Sequence, residues 1–81
     1  MATKSQHALV YLPVPNFLRT LREQAGLTQR QLGQRIGRRH TWVHGSEIGS
    51  RRVDIAEFVL ICQGCDVDPC RMLNRLMQRS A

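Results

Sequence analysis

Residues 28–52 read TQRQLGQRIGRRHTWVHGSEIGSRR, and the spacing of their apolar residues and glycines decides the fold. Thr28 is a favourable N-cap, and Gln31 stands three residues on, the arrangement of a capping box. Leu32 and Ile36 then share one face at i, i+4, as a helix places them. Gly37 follows where a left-handed residue commonly ends a helix. A second helical segment is expected from about His40 to Ile48, with Gly49 terminating it. Two short helices joined by a tight glycine turn have helix-turn-helix geometry. Gly33 is expected to let them approach closely, and Leu32, Ile36 and Val43 to lock their relative angle.

Working outward, Asn16 is read as the N-cap of a first helix with Phe17, Leu18, Leu21 and Ala25 inward and Gly26 at its end. Asp54 should cap a fourth helix with Ile55, Phe58, Val59 and Cys62 inward. Asp68 followed by Pro69 is a strong start signal for a fifth, with Met72, Leu73 and Leu76 inward. No hairpin signal or internal repeat is visible. The expected fold is all-α, a compact bundle of about five short helices containing a helix-turn-helix. A chain of 81 residues accommodates one small domain. The division expected is an N-terminal flexible or extended arm over 1–15 and the helix-turn-helix domain over 16–81. Within the arm, residues 8–12 are apolar and Pro13 and Pro15 argue for extended chain. Those residues serve either as a free arm or as a packing surface for a partner, and both readings stay open.

The charge is asymmetric. The net formal charge is +6, and between Thr28 and Val53 six arginines (30, 35, 38, 39, 51 and 52) face the single acid Glu47. Such a cationic field favours a polyanion: DNA, RNA or an anionic membrane surface. No apolar run approaches the roughly 20 residues needed to span a bilayer. The polar N-terminus lacks a signal-peptide core, so a cytoplasmic location is expected. The odd count of cysteines (Cys62, Cys65, Cys70) argues against a disulfide framework. Cys62-x-x-Cys65 has zinc-like spacing but no nearby fourth ligand, so it is read as apolar filler of a helix, with no metal and no cofactor. Phosphate loops, nucleophile elbows and carboxylate clusters are absent, which leaves no support for an enzyme.

On the second helix of the unit, His40, Thr41, His44 and Gly45 are expected to face outward. They are polar or small, as a surface that meets base edges requires. Trp42 is read as packing on the scaffold. The run LREQAGLTQRQLGQRIG (21–37), followed by RRHTWVHGSEIGSRRVDIAEF (38–58), resembles the lambda-repressor-like, or Xre, helix-turn-helix family. The resemblance covers residues 16–77. Its motifs are Gly-Leu-Thr-Gln at 26–29, the Leu and Gly spacing after it, and Glu-x-Gly-x-Arg-Arg-x-Asp at 47–54.

The resemblance implies sequence-specific binding of a double-stranded DNA operator by a small transcriptional regulator, a homodimeric repressor of bacterial or phage origin. It assigns base reading to His40, Thr41 and Gly45, with His44 beside them. It gives Gln29 a phosphate contact and the bracing of the recognition helix, and Arg51 and Arg52 contacts along the DNA backbone. Arg38 and Arg39 at the turn add further phosphate contacts. Arg22 and Glu47 match a structural ion pair. Gly45 departs from the family pattern, which commonly has a long polar side chain there. The rival reading is a protein-interaction module, antitoxin-like or an adaptor, on the same scaffold with DNA secondary.

Overall fold

The computed structural model describes residues 10–80. From Val14 onward, five helices follow one another: α1 Val14–Gln24, α2 Gln29–Ile36, α3 His40–Ile48, α4 Ile55–Gly64 and α5 Pro69–Ser80. No strand occurs among the described residues. The all-α bundle expected from the sequence is the observed fold.

The caps account for most of the boundaries. Thr28 Oγ1 accepts from the Gln31 N–H at 3.1 Å, and Gln31 Oε1 accepts from the Thr28 N–H at 2.9 Å. Asp54 and Glu57 repeat this reciprocal box at the start of α4, at 2.8 and 3.0 Å. Each box satisfies two donors that a helix start otherwise leaves orphaned. Gly37 and Gly49 end α2 and α3 in the left-handed region, at φ 69° and 82°. Asp68 receives the Cys70 N–H at the start of α5.

The N-terminal reading needs correction. Helix α1 starts at Val14, not after an Asn16 cap, and the Pro13 carbonyl accepts the Phe17 N–H at 3.0 Å. Pro15 fits because the first turn of a helix needs no N–H from it. The extended conformation expected over 8–12 is not seen in its described part: Val10 and Tyr11 are helical and Leu12 lies in a turn, while residues 8 and 9 lie outside the described residues. Tyr11 packs against the core, and its hydroxyl accepts the Val53 N–H at 2.8 Å.

Phe17, Leu18 and Leu21 from α1, Leu32 and Ile36 from α2, Val43 from α3, Phe58, Ile61 and Cys62 from α4, and Met72 and Leu76 from α5 form one buried core. Helix α3 packs on α1 and α2, α2 also packs on α4, and α4 carries α5. Ile55 and Leu73, expected inward, are exposed. Ile55 is the first residue of α4, beyond the reach of the core, and the α5 stripe is narrower than its sequence suggests.

Gly33 and Gly64 are close-approach positions. A Cβ on Gly33 would lie 2.5 Å from the Arg38 carbonyl oxygen, so the side chain is excluded by the turn itself. One on Gly64 would lie 2.6 Å from Ile36 and 2.8 Å from Leu32, and Arg35 Nη1 donates to the Gly64 carbonyl at 3.0 Å. Gly33 thus fixes the α2–α3 turn, and Gly64 seats α4 against α2.

Candidate nucleic-acid interface

Helix α3 is held from within and open from without. Val43, Gly45, Ser46 and Glu47 are buried, while Thr41 and His44 are exposed and His40 is half-buried. With 3.6 residues per turn, Thr41 and His44 share a face, and His40 lies one turn before His44 on its edge. These three are the polar side chains that α3 presents outward.

Gly45 does not join them. It is buried, and a Cβ there would meet Ser50 Oγ at 3.1 Å and Arg51 Cγ at 3.4 Å. Its carbonyl accepts the N–H groups of Ser50 and Arg51 at 3.0 and 3.3 Å. The residue therefore faces the loop that leaves α3, and its missing side chain makes room for Arg51. This explains the departure from the long polar residue of the family pattern and corrects the expectation that Gly45 faces outward with His40, Thr41 and His44.

The buried side of α3 is organised around Glu47. Arg22 approaches its carboxylate with two donors, Nε to Oε2 at 2.7 Å and Nη2 to Oε1 at 3.0 Å, and gives Nη1 to the Leu27 carbonyl at 2.8 Å. The Glu47 side chain is only 3% exposed and that of Arg22 12%. The hydrogen bond to Glu47 holds the Arg22 pKa above its ordinary value, against the opposing effect of burial. Gln29 adds a third donor to Glu47, Nε2 to Oε1 at 3.1 Å, and the same nitrogen lies 3.4 Å from His44 Nδ1. The Gln29 side chain thus braces α3, and what α2 offers outward at this end is the set of backbone N–H groups in its first turn.

Arg51, expected along the DNA backbone, also makes contacts within the fold. Its guanidinium lies 4.3 Å over the Trp42 ring and donates to Ser46 Oγ at 3.1 Å and to Glu57 Oε2 at 2.9 Å. Glu57 is held below its ordinary pKa first by the Asp54 N–H and then by Arg51. Trp42 packs against the core, as expected, with Arg38 on its ring at 5.4 Å. The sequence held a signal for this cluster, since Arg51 and Glu57 are both charged and Trp42 and Ser46 share a helix face at i, i+4. What the sequence did not disclose is that the chain after Gly49 turns back over that face.

The other arginines of the helix-turn-helix are exposed. Arg30, Arg38 and Arg39, with Gln34, His40 and Thr41, line a shallow groove of about 350 Å³ at the turn between α2 and α3. Arg52 is exposed and lies 4.5 Å over the Tyr11 ring. The groove-facing end of α3 is therefore flanked by guanidinium groups on the turn side. All three cysteines are free thiols, Cys62 and Cys65 buried and Cys70 exposed. Burial pushes the Cys62 thiol up to about 12 and that of Cys65 to about 11, so neither is a nucleophile at neutral pH. Among the described residues no cluster of three or more His, Cys, Asp or Glu is placed to hold a metal ion, and no helix is long and apolar enough to cross a membrane.

Residues 16–74 match the family described as a helix-turn-helix domain. The fold is similar to the solved structure of an XRE-family like protein from Pseudomonas syringae pv. tomato str. DC3000, with a TM-score of 0.86 and 33% sequence identity over 96% of this chain and 95% of that one. No curated protein sequence matches the chain. The agreement of a family match over most of the chain with a near end-to-end structural relative leads to one conclusion: the chain belongs to the Xre-type helix-turn-helix proteins, a family of DNA-binding regulators.

Proposed function

We propose that this chain is a sequence-specific reader of double-stranded DNA that acts as a dimeric transcriptional repressor in the cytoplasm of a bacterial or phage-infected cell, inserting α3 into the major groove. The observation that carries the reading is the division of α3 itself. Its inner side is pinned by Glu47 to Arg22 and Gln29, and its outer side offers Thr41 and His44 with His40 at the edge. A rigid helix with polar side chains of mixed donor and acceptor character is what base-edge recognition requires.

In this account His40, Thr41 and His44 meet the bases. Arg38, Arg39 and Arg52 meet phosphates, and the N-terminus of α2 at Gln29 faces another, where the helix dipole favours an anion. Arg51 acts mainly by stiffening the loop that carries Arg52. Two copies would cover half-sites about one helical turn, roughly 34 Å, apart and exclude polymerase by occupancy. The exposed apolar residues Leu73 and Met77 on α5, and Val10 and Leu12 ahead of α1, are the surfaces offered for pairing.

Titration of a labelled random duplex at several salt concentrations tests the reading. Log affinity should fall linearly with log salt, at a slope of about −0.9 per phosphate contacted. A slope near zero, or no binding at low salt, would favour a protein-binding module instead.

A further inference from the structure

Four side chains run in series from the first helix to the exposed face of α3: Arg22, Glu47, Gln29 and His44. Glu47 accepts from Arg22 at 2.7 and 3.0 Å and from Gln29 Nε2 at 3.1 Å. The Gln29 nitrogen stands 3.4 Å from His44 Nδ1, and the His44 ring is otherwise exposed.

The chemistry of this series fixes hydrogen positions. A carboxylate in an ion pair accepts only, so the Gln29 amide must turn its NH2 group, not its carbonyl oxygen, toward Glu47. The reverse orientation would set two acceptor oxygens against each other at 3.1 Å. An amide nitrogen has two hydrogens. With one given to Glu47, the second is available to His44 Nδ1, which can receive it only as an unprotonated lone pair. The neutral ring then carries its proton on Nε2. The other neutral tautomer would turn an Nδ1–H against the Gln29 NH2, donor against donor, so the series favours the Nε2–H tautomer.

We propose that Gln29 fixes His44 as the Nε2–H tautomer, so that His44 enters the groove as a hydrogen-bond donor and selects guanine or thymine over cytosine at the base it faces. This rests on the DNA-reading function proposed above. Guanine O6 and N7 and thymine O4 accept in the major groove, whereas cytosine offers the N4 amine, a donor that an Nε2–H cannot use. Gln29 is a positioning residue here. It acts on base choice through the ring of His44 and not by touching the base.

The test reads the tautomer and the base preference separately, on the full chain. In protein with 15N-labelled imidazoles, long-range nitrogen–proton correlation is measured through the titration of His44. The expected result is a neutral ring with Nε2 protonated and Nδ1 bare. In Gln29→Glu, a carboxylate that only accepts beside Nδ1 should move the proton of the neutral ring onto Nδ1. Gln29→Leu, which adds no charge beside Glu47, should leave a mixture of tautomers. Selection from a random duplex pool should enrich guanine or thymine over cytosine at one position. That preference, roughly two- to tenfold for one hydrogen bond, should vanish in His44→Ala and weaken in Gln29→Leu.

An Nδ1–H ring in the unaltered protein would overturn the assignment whatever the DNA result. An Nε2–H ring whose tautomer is unchanged in both Gln29 variants would overturn the role of Gln29. The expected tautomer with no selected sequence would sink the DNA-reading function and the base assignment with it.

Discussion

The guanidinium of Arg51 lies 4.3 Å above the ring of Trp42, and the pair closes α3 against the loop that follows it. Arg51 also reaches Ser46 on α3 and Glu57 on α4, so one side chain joins three elements. Arg51→Ala should therefore lower unfolding stability by about 1–2 kcal/mol, from the lost charge-assisted hydrogen bonds and ring contact. Arg52→Ala, at an exposed site, loses only the Tyr11 ring contact, should cost less, about 0.5 kcal/mol, and should weaken binding to all duplexes alike with a shallower salt slope. Urea denaturation and salt-dependent titration of the two variants check the contrast. Equal stability losses would contradict the scaffold role of Arg51.

Arg22→Ala should be more damaging than either. It leaves the Glu47 carboxylate, whose side chain is 3% exposed, with the Gln29 amide still donating to it but no guanidinium from Arg22. Breaking a buried pair from one side costs about 3–5 kcal/mol. Arg22→Met combined with Glu47→Leu should recover much of that loss, because the uncompensated charge is gone. Denaturation midpoints of the single and double variants measure this directly.

The helix-turn-helix was legible in the sequence because its punctuation is local. Thr28 with Gln31, Asp54 with Glu57, and Gly37 and Gly49 each act within four residues of their own position. The start of α1 is hidden because Asn16 resembles a cap and proline resembles a break, while the packing of Val14 and Tyr11 on the core rewards helix three residues earlier. Arg22–Glu47 came from family resemblance, since nothing local joins residues 25 apart. Ile55, Leu73 and Gly45 were assigned to the wrong side because periodicity gives the direction of a face but not how far the neighbouring elements extend along it. The Arg51 cluster was hidden for the same reason: it depends on where the chain goes after Gly49.

The glycines separate packing from reading. Gly33→Ala places a methyl 2.5 Å from backbone oxygen, and Gly64→Ala places one 2.6 Å from Ile36. Each should cost about 1–3 kcal/mol through overpacking. At Gly45 the added methyl meets Ser50 Oγ at 3.1 Å, a side chain that can turn aside. There the helix-propensity gain of about 1 kcal/mol offsets the crowding. Gly45→Ala should fold with near-unchanged stability and keep the same preferred DNA sequence. A changed preference would return Gly45 to the base-reading set.

The buried thiols predict alkaline weakening. In the unfolded chain Cys62 and Cys65 ionise near 9.0, whereas in the fold burial holds them to about 12 and about 11. Below pH 9 both states are protonated and the contribution of these groups to stability is fully present. As pH rises from 9 toward 11 and 12 the unfolded state loses protons that the folded state keeps, and stability is lost. Thermal melts across this range should fall, and Cys62→Ser combined with Cys65→Ser should flatten the fall. At neutral pH a thiol reagent should modify exposed Cys70 rapidly and the other two only on unfolding.

The central claim is that the outer face of α3 chooses the DNA sequence. Selection of bound duplexes from a random pool, run in parallel on the unaltered chain and on His40→Ala and Thr41→Ala, tests it most directly. The account predicts one enriched motif for the unaltered chain, repeated at about one helical turn if the dimer forms, and an altered preference at distinct positions in each variant. No enriched motif, or the same motif from all three proteins, would contradict it.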